Sequence, residues 1–284
     1  DLLNVTIKRL DRHFKEGVIT CEVKSGYGTN LSEEFRLLSL INQLNNKHII
    51  DVVPTCLAAH VTPKQYSSSS EYLEKIIDEL IPNIKKNKLT DRIDIFTEEK
   101  AFSVDESLKY LSELKNDFDI TVHANQFSSG GVEVAIKSGA KSADHLEVLN
   151  DKEIKLLSES NTSAVVLPGC SLGLGIPFAP ARKLLDGNCK LSIATDWNPG
   201  SAPMGDLLHQ ASLLGSIEKL TNAEVFSAIT FRAADALGLN DRGRIEQDKI
   251  ADFIGFETND YREILYYQGK LKPSLICKRG EIYN

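Results

Sequence analysis

The stretch SADHLEVLNDKEIKLLSESNTSAVVLP, residues 142–168, holds two short apolar runs on either side of a segment with a different period. SADHL (142–146) and SAVVLP (163–168) have the length and residue types of buried strands, whereas DKEIKLLSES (151–160) spaces its apolar residues along one face of a helix. Strand, helix and strand at this spacing predict two parallel strands joined by a helical crossover. The same alternation extends both ways along the chain. VITCEVK (18–24), IDVVPTCL (50–57), RIDIFT (92–97), DITVHA (119–124) and LSIATD (191–196) read as further strands. EEFRLLSLINQLNN (33–46) and SLKYLSELKND (107–117) read as helices between them. Regular alternation predicts a parallel sheet covered by helices, with strands apolar on both faces.

Polar residues close nearly every predicted strand, which favours a barrel over a doubly wound sheet, since barrels of this kind place their sites at the C-terminal strand ends. A closed TIM-type (β/α)8 barrel needs eight strands, and the count here is seven. Residues 1–15 read as a helix with apolar Leu3, Ile7, Leu10 and Phe14 and no strand before it. The expectation is a TIM-type α/β barrel, residues 1–240, whose first strand is missing from this chain, which begins with Asp1 and not Met. Helical stretches at 204–218 and 221–238 follow the last barrel strand. GRIEQDKIADFIGFE (243–257) and LICKRGEIY (275–283) then predict short strands of a β appendage, residues 241–284. SSSS (67–70) reads as a surface loop before a helix.

The 284 residues carry a net charge of −7 and no basic run interleaved with aromatics, which argues against nucleic acid and anionic membranes as partners. No apolar stretch approaches the roughly 20 residues of a membrane helix. The 5 scattered cysteines without a CxxC pair favour free thiols in a reducing, cytoplasmic setting.

The predicted strand ends carry KSGYG (24–28), AAHVTP (58–63), Glu98, HANQ (123–126), DHL (144–146) and DWN (196–198). His60, His123, His145 and Asp196 thus converge on one face. His13, His48 and His209 fall in helices or loops and are expected to be solvated. Singly, each residue has a plainer reading: a strand-end histidine is commonly structural, and Asp before Asn-Pro-Gly commonly forms a turn. Together they suit metal-assisted hydrolysis, in which a metal with one open position lowers the pKa of its bound water and a neighbouring side chain takes the proton. His123 is the first candidate ligand. Asp196 is a candidate ligand or base, and His145 a candidate stabiliser of charge on an attacked carbonyl.

KSGYG, AAHVTP, HANQFSSGG, SADHLE, VVLPG, PARKLLDGN and ATDWNPGSAPM occur in the order found in the imidazolonepropionases, metal-dependent hydrolases of the amidohydrolase superfamily. The chain resembles that family over nearly its whole length, and GRIEQDKIADFIGFE resembles the superfamily's return into its β-sandwich. The resemblance implies hydrolytic opening of the ring of 4-imidazolone-5-propanoate to N-formimidoyl-L-glutamate, a step of histidine degradation. It implies His123 and Asp196 as metal ligands, with Asp196 and His145 as catalytic residues. Tyr27, His60, Gln126 and Asn198 correspond to substrate-binding positions. It also implies zinc or iron, one per complete site, and a homodimer acting on a small molecule. The family's other two ligands form a His-x-His pair on the first barrel strand. No His-x-His occurs here, so the expected protein is an N-terminally truncated member with an incomplete metal set, inactive as an isolated chain. Two other readings stand beside it: another cyclic-amide hydrolase or aminohydrolase of the superfamily, and a catalytically inactive fragment that binds a small molecule or a partner.

Overall fold

The computed structural model describes residues 1–283 and contains a 7-stranded parallel sheet in sequential order. Its strands are β1 (Thr20–Lys24), β2 (Asp51–Ala59), β3 (Arg92–Thr97), β4 (Asp119–Ala124), β5 (Ser142–His145), β6 (Ser163–Val166) and β7 (Leu191–Ile193). Helices connect them. Leucine, isoleucine, valine and alanine from the strands' outer faces and the helices' inner faces dominate the main core. Local chemistry fixes the helix starts. Ser103 and Glu106 form a capping box at Val104–Leu114, and Asn150 and Glu153 form another at Asp151–Ser158. SSSS supplies the cap of its helix, because Ser68 accepts from the Glu71 N–H.

The sheet is curled. Strands β1 and β5 stand four positions apart, about 19 Å in a flat sheet at the usual strand spacing. Yet Lys24 Nζ of β1 lies 2.6 Å from Asp144 Oδ2 of β5 and 2.6 Å from Asp94 Oδ2 of β3. Only a sheet rolled towards a barrel brings these side chains together across its interior. That interior is charged and not apolar. Glu22 lies 3.6 Å from Lys24 and 3.5 Å from Arg92, and Thr55 Oγ1 donates to Glu22 at 2.5 Å. Charges so placed are tolerable only when paired, and each of these is.

No strand lies between β1 and β7 among the described residues. Side chains bridge that interval. Helix α1 (Leu2–Lys15) leads into β1 and packs with helix α2 (Leu31–Leu44) in a second apolar cluster around Leu10, Ile41, Leu44 and Ile50. The loop after β7 docks on the end of α1. The Trp197 ring meets His13 edge-on at 4.7 Å and lies 4.7 Å beneath the Arg12 guanidinium. His13 is therefore buried, and the His48 side chain is only 5% exposed, against the expectation that both are solvated.

Strands β8 (Phe253–Gly255), β9 (Leu275–Lys278) and β10 (Glu281–Tyr283) form a separate 3-stranded antiparallel sheet. Asp51, at the N-terminal end of β2, ties it down: Arg242 Nη1, Lys278 Nζ and Arg279 Nη2 reach its Oδ2 at 2.5, 2.7 and 3.1 Å. The attachment thus lies at the opposite end of the barrel from the C-terminal strand ends. Among the described residues no helix is long and apolar enough to cross a membrane. All 5 cysteines are free.

Candidate active site

Four non-glycine residues at or just past the ends of β4, β5 and β7 hold left-handed backbone: Asn125 (φ 54°), His145 (φ 86°), Leu146 (φ 70°) and Asp196 (φ 47°). Such conformations cost energy in residues with a side chain and gather where function requires them. Around Asn125 and Leu146 the strain is offset by hydrogen bonds. The Leu146 N–H donates to Ala124 O at 3.0 Å, and Asn125 Nδ2 donates to Glu153 Oε1 at 2.8 Å.

His123 points into the barrel from β4. Its Nδ1 lies 3.0 Å from Asp94 Oδ2, and its backbone N–H donates to Asp94 Oδ1 at 3.2 Å. Burial would raise the Asp94 pKa, but His123 and Lys24 outweigh it and hold the carboxyl well below the usual range. Burial likewise opposes the Lys24 charge, and Asp144, Asp94 and Glu22 reverse this, raising its pKa well above the ordinary lysine value. Asp94 therefore occupies one side of the His123 ring and leaves Nε2 as the nitrogen available to a ligand.

The His145 ring centroid is 5.1 Å from that of His123. Burial pulls its pKa down, but Cys170, Glu147 and Asp196 outweigh burial and push it up to about 10. The shift favours the imidazolium form, a donor and a positive charge. Asp196 is half-buried at the head of its loop. Asn198 organises that loop: its Nδ2 donates to Asp196 O at 2.7 Å and Asp196 Oδ2 at 3.1 Å, and its Oδ1 accepts from the Gly200 and Ser201 N–H groups at 2.8 Å each. The whole Asn198 amide is thus engaged within the loop.

Tyr27 stands at the rim, 59% exposed, with its ring 5.7 Å from His60. The His60 ring lies 6.3 Å from His123, and its Nδ1 is 3.1 Å from Gly26 O. Burial and the neighbouring His123 lower its pKa. Gly26, at φ 116°, and Gly28 let the KSGYG backbone close on buried Glu34, whose carboxylate accepts the N–H of both. Gln126 is buried and donates to Cys170 Sγ at 3.2 Å.

His60, His123, His145 and Tyr27 thus share one end of the sheet, with Gln126 behind His145. Burial first and the Asp196 charge second raise the Tyr27 pKa, and the same charge adds to Cys170 and Glu147 at His145, so Asp196 faces the same group. Among the described residues, donors gather in threes within 4.8 Å only as Asp94–His123–Asp144 and His145–Glu147–Cys170; Asp196 belongs to neither set. Sequence reasoning passed over Asp94, Asp144, Glu147 and Cys170. Asp94 and Asp144 did leave a signal, each being a charge inside an otherwise apolar strand. Cys170 left none, since it lies in a helix at Pro168–Leu174 and reaches the site only through the fold.

The amidohydrolase family model matches residues 28–282. An imidazolonepropionase of Caldanaerobacter subterraneus subsp. tengcongensis is 39% identical over 272 residues, 94% of this chain and 66% of the relative. One of Christiangramia forsetii is 40% identical over 281 residues, 93% of this chain and 68% of the relative. One of Fusobacterium nucleatum is 36% identical over 286 residues, 99% and 69% respectively. The chain therefore spans about two thirds of the length of these relatives. Among solved structures, an adenosine deaminase from Xanthomonas campestris with bound zinc superposes with TM-score 0.74 at 18% identity, covering 99% of this chain and 69% of that one. Atrazine chlorohydrolase TrzN from Arthrobacter aurescens TC1, complexed with zinc and atraton, gives TM-score 0.74 at 14% identity, covering 99% and 71%. These two likenesses concern the fold alone.

Proposed function

The chain belongs to the amidohydrolase family and, within it, to the imidazolonepropionases, and from that premise we propose that it carries the catalytic strand ends of a hydrolase opening the ring of 4-imidazolone-5-propanoate to N-formimidoyl-L-glutamate. One observation supports this most: His123, His145 and Asp196 lie at one end of one parallel sheet, two of them on left-handed backbone.

A divalent metal, zinc or iron, suits the donors in hand. His123 has Asp94 against Nδ1, which leaves Nε2 to coordinate, and Asp196 offers a carboxylate at a strand end. His123 and Asp196 would hold the ion, which when bound supplies a water of lowered pKa and polarises the substrate carbonyl. A catalytic zinc takes three or more protein ligands. We assign the remainder to a strand bearing a His-x-His pair, seated between β1 and β7, which are not paired with each other among the described residues.

Asp196 accepts the proton of the attacking water. His145, as an imidazolium, donates to the oxygen on which charge develops as the lactam carbonyl becomes tetrahedral. Collapse breaks the ring C–N bond, and the leaving formimidoyl nitrogen takes the proton that Asp196 had accepted, while the new carboxyl group ionises to solvent. Tyr27 and His60 contact the substrate at the rim, and Gln126 bonds without exchanging a proton. Asn198 presents the loop to the substrate through the backbone it holds. The same reading divides the chain near residue 240, barrel before and small sheet after. Turnover of imidazolone propanoate and metal content, measured with and without a peptide carrying the His-x-His strand, test the proposal. Gain of both on adding the peptide is the expected result, and gain of neither overturns it.

A further inference from the structure

We propose that His145 Nδ1, Glu147 Oε2 and Cys170 Sγ form a second, thiolate-bearing site for a soft divalent transition ion such as Zn2+, independent of the donors His123 and Asp196. The two donor clusters near the strand ends differ in one respect. In Asp94–His123–Asp144 the Lys24 ammonium already lies 2.6 Å from each carboxylate, so a cation is in place there and half of the carboxylate charge is met without a metal. In His145–Glu147–Cys170 no lysine or arginine approaches Glu147 among the described residues, and its one charged neighbour is His145 itself.

The donors of this second cluster are buried, and two are unsatisfied. The His145 and Glu147 side chains are 4% and 2% exposed, and Cys170 is fully buried. His145 Nδ1 and Glu147 Oε2 face each other at 3.7 Å, an ion-pair separation too long for a hydrogen bond, and neither atom makes a hydrogen bond elsewhere. A buried polar atom without a hydrogen bond costs free energy, and an ion held by these two atoms and the Cys170 sulfur beside them would satisfy both. Zinc–nitrogen and zinc–oxygen bonds of about 2.1 Å at a tetrahedral angle set the two donors about 3.4 Å apart. The observed separation is within a few tenths of an ångström of this.

The outer contacts also suit ligands. Ser171 Oγ donates to Glu147 Oε1 at 2.8 Å, leaving Oε2 free, and Gln126 Nε2 donates to Cys170 Sγ at 3.2 Å, which favours thiolate. A thiolate, a carboxylate and a neutral imidazole sum to two negative charges, which a divalent ion cancels. The sulfur selects zinc-like ions over magnesium or calcium. Loading displaces the Cys170 proton and the Nδ1 proton of His145. Nε2 keeps its proton, so ion binding fixes the ring while sparing its donor.

The test is titration of the purified chain with Co2+, followed by its absorption in the near ultraviolet and by X-ray absorption at the cobalt edge. The proposal predicts a thiolate-to-cobalt charge-transfer band saturating at a single ion per chain, with one sulfur scatterer in the coordination shell. The band should vanish in a folded Cys170→Ser chain and persist in His123→Ala, which removes the other site's ligand. Zn2+ should displace Co2+, and Cys170→Ser should weaken zinc binding by at least about tenfold. A bound ion without sulfur, no band in the unsubstituted chain, or a band surviving Cys170→Ser would each overturn the site. The edge measurement on the unsubstituted chain decides the matter even where Cys170→Ser does not fold.

Discussion

Lys24 illustrates what one residue decides in this molecule. Its ammonium bridges two carboxylates contributed by strands two and four positions away, and Asp94 in turn flanks the ring of His123. Removing the cation leaves Asp94, fully buried, and Asp144, nearly so, as uncompensated charges. Lys24→Met is therefore expected to destabilise the chain by about 3–5 kcal/mol in urea unfolding, the usual cost of breaking a buried pair from one side. A loss below about 1 kcal/mol would mean that water reaches these carboxylates. The His123 backbone contact with Asp94 should loosen in the same variant, and faster amide exchange at His123 checks it.

Among the elements, the loop after β7 and its seat on α1 are the most informative. Trp197, the only tryptophan, reports on this contact by fluorescence. Burial, with a smaller contribution from Arg12, lowers the His13 pKa to about 4. A folded pKa below the unfolded value contributes stability that is complete above pH 6.5 and is lost as pH falls through about 4. Trp197 emission is expected to change over that window, and His13→Gln should abolish the change. An identical acid transition in His13→Gln would show that other groups drive it. A second element, the KSGYG turn, depends on Gly26, since a Cβ there would meet Leu57 O at 3.0 Å on backbone at φ 116°. Gly26→Ala should cost about 1–3 kcal/mol by thermal unfolding, and an unchanged Tm would contradict the strain. The strands, their order and the strand-end residues His123, His145 and Asp196 were legible because parallel strands are short, apolar and closed by polar residues. The seat of His13 was not: histidines are usually solvated, and nothing local reveals that Trp197, some 180 residues later, folds against it. The roles of Asp94 and Asp144 were half-legible as charges in apolar strands, but their shared cation required the curl of the sheet.

At the scale of the whole molecule, the active end and the attachment of the small sheet lie at opposite ends of the barrel. Asp51 gathers Arg242, Lys278 and Arg279 beneath β2, and the Lys278 side chain is only 4% exposed. Asp51→Ala should destabilise the chain by about 2 kcal/mol, mostly by loosening the small sheet, with the strand-end residues left in place. Amide exchange rising in β9 and β10 but not in β4 and β5 would agree, and a uniform rise would not. In the proposed reaction this chain's own strand ends perform the chemistry. The most direct test of this joins residues 1–284 to the remaining third of the Caldanaerobacter relative and measures hydrolysis of imidazolone propanoate at saturating zinc, with and without Asp196→Asn. Turnover that falls at least about a hundredfold on the substitution, as expected when a general base is lost, is the predicted result. Turnover within twofold of the unsubstituted chain would contradict the account.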